Sequence, residues 1–316
     1  PIFPVGSHEL TVSVSIGIAL HPEDGEDVST LLKHADLAMY RAKEQGRNAY
    51  HYFMPEMDVH ALERLLLENA LRRAVERDEL RLHYQPQLAS DDGRVIGCEA
   101  LVRWQHPELG LLLPVQFISV AEDSGIILSL GEWVLEAACR QQVAWARSGR
   151  DLLMAVNISA LQFRQSNFGP MVRRILDETG IDPRRLELEL TESALMQPTA
   201  EVLARMNQLR DLGIHLALDD FGTGYSSLSY LKRLPIHRLK LDRSFVMDLP
   251  DDLEDAAIAS ATLSLARDLG MEVVAEGVDS HAQVAFLVER GCAVMQGYLF
   301  SRPVAADEFE RWADKR

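Results

Sequence analysis

Three cysteines in 316 residues, Cys98, Cys139 and Cys292, are too few and too scattered for a disulfide framework, and no C-x-x-C spacing offers a zinc site. All three are expected as reduced core residues. Positive charge is also scarce: 32 Lys and Arg face 48 Asp and Glu, a formal net charge of -16. That balance argues against non-specific binding to duplex nucleic acid or to an anionic membrane surface, both of which need clustered Lys and Arg. An anionic substrate would need added cations to bind. No apolar run reaches the ~18 residues of a membrane span, and the N-terminal residues lack the basic-then-apolar layout of a signal peptide. The fragment itself reads as cytoplasmic with no membrane contact, although a full-length parent could be tethered through upstream segments.

Apolar residues, by contrast, are plentiful. At 47% hydrophobic and 25% charged, the chain can bury a large core as one big domain or two ordinary ones. The most informative stretch is LALDDFGTGYSS, residues 216–227. Neighbouring side chains of a strand point to opposite faces, so Asp219 and Asp220 can serve one site only where the strand gives way to a loop. Gly222 and Gly224 mark such a place. Asp and Gly are also ordinary turn residues. Recurrence favours a site, because several other apolar runs end in an acidic or amide residue.

Residues 10–20 alternate like a strand, HPEDG at 21–25 is a turn, and a helix is expected from Ser29 to a C-cap at Gly46 before the short run Tyr50 to Phe53. This makes a small β-α-β fragment. An amphipathic helix is expected over 61–77, on the pattern of Leu62, Leu65, Leu66, Asn69, Ala70 and Arg73. Eight candidate strands follow, at 80–88, 94–104, 152–159, 185–191, 214–220, 237–242, 271–276 and 293–299. Amphipathic helices are expected at 131–148, 168–180, 200–212, 251–269 and 280–290. Alternating strands and helices over residues 54–316 suit a TIM-like (β/α)8 barrel of about 250 residues. The five-residue link ASDDG at 89–93 is too short for a parallel crossover, so the first strand should run antiparallel to the second. A doubly wound open sheet fits the same strand count.

Barrel enzymes place chemistry at the C-terminal ends of their strands. There stand Glu99, Asn157, Glu189, Glu192, Asp219, Asp220, Lys240, Glu276 and Gln296. Each alone could be an ordinary polar residue at a strand end. Glu187 and Glu189 share one face of an otherwise apolar strand, and two buried carboxylates need a partner, for which a divalent cation would serve. The oxygen donors Glu99, Asn157, Glu189, Asp219 and Asp220 suit Mg2+ or Mn2+ better than zinc. Two ions bridged by Asp219 would activate a water for in-line attack at phosphorus, Lys240 could neutralise the charge that develops there, and Arg103 offers a planar fork to a phosphate oxygen.

SIGIA, HPEDGED and LLKHADLAMYRAKEQGRNAY resemble the C-terminal part of a GGDEF (diguanylate cyclase) domain. No GG-[DE]-E-F motif stands anywhere in the sequence, so residues 1–53 are read as a remnant without cyclase activity. YQPQL, EALVRW, VNIS, LELTES, DDFGTGYSSL, LKLDRSF, VAEGV and QGYLFSRP resemble the motif series of EAL-domain cyclic-di-GMP phosphodiesterases, from about Tyr84 to Phe309. The resemblance implies a phosphodiesterase domain over 54–316, with 54–78 as a linker helix, that hydrolyses cyclic di-GMP to linear pGpG in a barrel with a reversed first strand. By position it implies metal ligands at Glu99, Asn157, Glu189, Asp219 and Asp220. Lys240 and Glu276 match residues that contact or orient the attacking water, Gln296 a supporting residue, and Glu192 the glutamate holding the DDFGTG loop. Gln85, Arg103, Asp242 and Tyr298 match substrate contacts. A homodimer through the helix at about 226–233 is implied too. Asp279 departs from the more usual Glu and is expected to matter little. Two other readings are an EAL domain that binds cyclic di-GMP without cutting it, and an unrelated two-carboxylate glycosidase, which would leave Lys240 and Asn157 without a role.

Overall fold

The computed structural model describes residues 2–5, 8–11, 13–44, 48–195, 199–222 and 231–315. It forms two compact units, Pro1–Arg72 and Arg73–Arg316. In the first, β1 (Ile2–Val5) and β2 (His8–Thr11) make an antiparallel hairpin. β3 (Ile16–Ile18) and β4 (Tyr50–Tyr52) pair in parallel across α1 (Val28–Glu44), the expected β-α-β fragment. The single strand expected over 10–20 is two strands instead. Gly17 lets β3 lie against α1, since a Cβ there would stand 1.8 Å from the carbonyl oxygen of Ala35. The expected C-cap at Gly46 lies outside the described residues. α2 (Glu56–Ala74) starts earlier than the periodicity predicts, and Leu62, Leu65 and Leu66 of its apolar stripe are exposed.

The second unit opens with β5 (Leu80–Ala89), β6 (Val95–His106), β7 (Gly110–Leu112), α3 (Pro114–Asp123) and α4 (Ile127–Arg147). β8 (Leu153–Ile158), α5 (Ala160–Phe163), α6 (Phe168–Thr179), β9 (Leu186–Thr191), α7 (Glu192–Leu195) and α8 (Ala200–Asp211) follow. β10 (His215–Phe221), β11 (Arg238–Leu241), α9 (Leu253–Asp268), β12 (Glu272–Ala275), α10 (His281–Glu289), β13 (Val294–Met295) and α11 (Ala306–Ala313) complete it. The sheet runs β5-β13-β12-β11-β10-β9-β8-β6 and closes through β6 on β5, which excludes the open doubly wound alternative. β5 is antiparallel to both neighbours, as its short link to β6 requires, while the adjacent pairs from β6 to β13 through β8 are parallel.

Elements absent from the sequence reading are β7, α3, the short α5 and α7, and α11. β7 extends the far end of β6 through Trp104 to His106. α3 starts on Pro114, whose fixed φ suits a first helical turn. α11 buries Phe309 on the ring of Trp145, at 4.8 Å between centroids, beside Tyr84. The alternation of strands sends Leu186, Leu188 and Leu190 to one face of β9 and Glu187 and Glu189 to the other, and all five are fully buried. The barrel interior is therefore partly polar.

Candidate active site

Two layers of charge fill the interior. In the lower one, Arg238 stands 3.4 Å from Glu187 and 2.8 Å from Glu272. A partner for Glu187 Oε1 is thus a guanidinium on β11, across the intervening β10, while Glu187 Oε2 has no hydrogen-bond partner among the described residues. In the upper layer the Lys240 ammonium, 1% exposed, lies 2.7 Å from Glu189, 2.8 Å from Glu276, 3.2 Å from Asp219 and 3.7 Å from Glu99. One cation faces four carboxylates.

The titration of these groups reports that imbalance. Burial pushes Glu189 well above the usual carboxylate range, with Lys240 opposing and Glu99 and Asp219 adding to the rise. Burial raises Glu276 to about 8 against the pull of Lys240. For Lys240 itself burial works to lower the value, but attraction to Glu189, Glu276, Glu99 and Asp219 outweighs it and holds the ammonium charged. Burial is the largest influence on all three groups, and the attraction between the ammonium and the carboxylates opposes it in each.

Amides hold the carboxylate of Glu99. Asn157 Nδ2 donates to Oε1 at 2.6 Å, and Gln296 Nε2 donates to Oε2 at 2.5 Å and to Gln85 Oε1 at 3.0 Å. Gln85 stands directly across from Glu99 in the β5–β6 ladder. The adjacent aspartates solve their parity problem by an irregularity: the β10–β11 register shifts between Leu218 and Phe221, and Asp220 takes a left-handed φ of 56°. Left-handed backbone is costly for residues other than Gly and least so for Asn and Asp. Asp220 N donates to Asp219 Oδ1 at 3.0 Å, and burial followed by repulsion from Asp219 raises the Asp220 carboxyl. An open cleft of about 700 Å³ lies over the cluster, reached by Gln85, Glu99, Asp219, Lys240, Glu276, Gln296 and Tyr298.

The model of the EAL domain family matches residues 68–303. The chain belongs to the EAL-domain family. The model of the "Diguanylate cyclase, GGDEF domain" family matches residues 2–49, so a C-terminal remnant of that domain precedes the EAL domain. The chain is 47% identical, over 97% of its length and 45% of the relative's, to the bifunctional diguanylate cyclase/cyclic di-GMP phosphodiesterase MucR of Pseudomonas aeruginosa. It is 46% identical, over 96% of its length and 39% of the relative's, to the cyclic di-GMP phosphodiesterase NbdA of the same organism. The chain thus spans less than half the length of these curated relatives. Among solved structures, "PaMucR Phosphodiesterase, c-di-GMP complex" superposes with a TM-score of 0.75 at 47% identity, covering 77% of this chain and 99% of that one.

In this EAL domain the expected site residues do not all converge. Glu99, Asn157, Glu189, Asp219, Lys240, Glu276, Gln296 and Gln85 form one bonded cluster. Tyr298 stands at the cleft, half exposed, with the Arg302 guanidinium 4.5 Å above its ring. Arg103 shares the inward face of β6 with Glu99 and Leu101; it is buried, donates to the Val102 carbonyl at 2.8 Å, and has no ion pair among the described residues. Asp242 caps the turn at Arg243–Phe245 by accepting from Ser244 N at 2.9 Å. Glu192 lies at the start of α7 with both carboxylate oxygens buried and without a hydrogen-bond partner among the described residues. Thr223 and Gly224 of the DDFGTG loop it was expected to hold, and the expected dimer helix up to residue 230, fall outside the described residues.

Three residues of the EAL site escaped the sequence reading or were discounted. Arg243 and Asp279 line the cleft. Gln87, fully buried, donates to Gln296 Oε1 at 3.1 Å. The signal for Gln87 was parity: it shares a face of β5 with Gln85.

Whether the residues suit a divalent cation can be judged from the donors. Among the described residues no three His, Cys, Asp or Glu side chains form a ready ion cage; the carboxylates gather on Lys240 instead. Yet Glu189 Oε1 is buried without a hydrogen-bond partner among the described residues, the cluster carries four carboxylates on one ammonium, and the other side chains there offer amides. That set fits a hard cation.

Proposed function

We propose that this EAL domain is a metal-dependent phosphodiesterase that opens cyclic di-GMP to linear pGpG. The observation that carries the reading is the Lys240 ammonium held among four carboxylates under an open cleft. Such an excess of buried anionic oxygen is hard to account for in a protein that only folds, and it suits a site that takes up Mg2+ or Mn2+ and then a phosphodiester. The names of the relatives, MucR and NbdA, and of the PaMucR complex support cyclic di-GMP as the substrate.

In this reading Glu99, Asn157, Glu189, Asp219 and Asp220 hold the metal. When bound, the metal lowers the pKa of a water and offsets charge at phosphorus. Lys240 keeps its proton and offsets charge on the transition state, while Glu276, 2.8 Å from Lys240, is placed to orient the attacking water. Gln296 fixes the Glu99 carboxylate, and Gln85 contacts the substrate. Arg103 and Tyr298 contact the nucleotide, joined by Asp242. Glu192 holds the loop after Gly222. Residues 1–53 are the GGDEF remnant, 54–78 the linker helix, and a homodimer through the segment at about 226–233 belongs to the same reading.

The test is purified protein with Mn2+ or Mg2+ and cyclic di-GMP, followed by chromatography. The expected product is pGpG, lost with chelator and in Glu99→Ala. Binding without cleavage would favour a receptor. Light scattering checks the dimer.

A further inference from the structure

We propose that Gln87 is a positioning residue for this site, acting through Gln296 on Glu99. The inference rests on the phosphodiesterase reading above and adds a residue to its machinery. Gln296 is 3% exposed and its amide has the same shape in two orientations; only its partners choose between them. In the orientation found, Nε2 faces Glu99 Oε2 and Gln85 Oε1, and Oε1 accepts from Gln87 Nε2. The reverse orientation would aim an oxygen at the Glu99 carboxylate and an NH2 at the Gln87 donor. Gln87 therefore locks the amide that holds Glu99.

The backbone is shaped to place Gln87 there. The β5–β6 register shifts between Gln87 and Leu88, and the residue directly across is Gly97. A Cβ on Gly97 would stand 3.3 Å from Gln87 Oε1 and 2.8 Å from the Leu153 carbonyl oxygen, so glycine leaves the room that the amide occupies. Packing alone does not explain the choice. Gln87 Oε1 is buried with no hydrogen-bond partner among the described residues, which is unfavourable, and a leucine would fill the same space without that penalty. What leucine lacks is the donor to Gln296. Gln87 is not among the residues that line the cleft, so its effect passes through Gln296.

The experiment is a double-mutant cycle of Gln87→Leu and Gln296→Leu, with Gln87→Met as a second shape-preserving variant. Each protein is titrated with Mn2+ by electron paramagnetic resonance without nucleotide, and assayed for kcat and KM on cyclic di-GMP. Loss of a residue that orients a metal ligand costs on the order of 10–100-fold. Gln87→Leu and Gln87→Met should each weaken Mn2+ binding and lower kcat by about tenfold, at the lower end of that range, with little change in KM. In the Gln296→Leu background the Gln87 change should add nothing, because the route is already cut. Additive losses, or wild-type Mn2+ affinity in both Gln87 variants, would overturn the proposal. If wild-type protein binds Mn2+ but leaves the nucleotide ring closed, the phosphodiesterase reading fails while the Mn2+ arm still decides the role of Gln87. If wild-type protein binds no Mn2+, both fall.

Discussion

The ammonium of Lys240 lies 2.7 Å from Glu189 Oε2 at the floor of the open cleft, and it is the cation on which Glu99, Asp219 and Glu276 also converge. Removing it while leaving the carboxylates would strand buried negative charge, at a cost of roughly 3–5 kcal/mol. Lys240→Met should therefore lower thermal stability sharply and abolish turnover. Saturating Mn2+ should restore more of the melting temperature in this variant than it adds to wild type, because an ion then supplies the missing charge. Equal Mn2+ shifts in both proteins would separate Lys240 from the ion site.

Asp220 adopts a left-handed φ of 56° with its carboxyl partly buried beside Asp219. Asp220→Asn keeps a side chain that tolerates this backbone and removes the repelled charge. Its ion-free melting temperature should rise while hydrolysis falls, the exchange of stability for function seen where active sites hold unfavourable charge. Calorimetry without metal, paired with the chromatographic assay, checks both. A destabilised variant would contradict the charge argument.

Gly297 follows Gln296 at the cleft, and a Cβ there would stand 2.0 Å from the Val278 carbonyl oxygen, a backbone atom that cannot swing aside. Gly297→Ala should cost about 1–3 kcal/mol or more through forced backbone movement, and lower activity beyond what stability explains. Denaturant unfolding and kcat on the residual folded protein measure the two parts.

At the N-terminal end of β10, His215 stacks on His237 with ring centroids 4.8 Å apart. Burial first, then His237 and Arg238, lowers His215; burial first, then Arg210 and Arg238, lowers His237, while Glu272 opposes in both. A histidine whose folded pKa lies below its unfolded 6.5 favours the native state when neutral. Stability should be full above about pH 6.5 and fall as pH drops through the folded values. His215→Phe keeps a stacking ring and should flatten that acid-side loss. Melting temperatures between about pH 8 and pH 5 test it, and an unchanged slope would rule the pair out.

Ca2+ should occupy the oxygen site yet support little turnover, since its looser coordination positions a water less strictly than Mg2+ or Mn2+. Competition against Mn2+ binding, read beside the hydrolysis rate, distinguishes occupancy from activity. Turnover with Ca2+ equal to that with Mn2+ would contradict the geometric argument.

Much of the barrel was legible because its signals are local. The five residues from Ala89 to Gly93 limited β5 to an antiparallel hairpin, and β9 announced its polar face by placing Glu187 and Glu189 in register between leucines. Other features depend on what a strand meets across the barrel, which spacing cannot show. Glu187 looked like an ion ligand until Arg238 proved to stand beside it. Gln87 looked like an ordinary strand residue because its partner, Gln296, lies more than two hundred positions away. The parity conflict of Asp219 and Asp220 was visible, but its solution was a register shift with a left-handed residue in place of a simple strand end. α3 was overlooked because three leucines run straight into its Pro114 start, which hides the change from strand to helix.

The central claim is that these carboxylates assemble around metal ions and the nucleotide. Crystals grown with Mn2+ and cyclic di-GMP, measured for anomalous scattering at the manganese edge, test it most directly. The expected result is anomalous density bounded by Glu99, Asn157, Glu189, Asp219 and Asp220, with Lys240 beside it. Side chains still gathered on Lys240 alone, with no anomalous density among them at saturating Mn2+, would contradict the account.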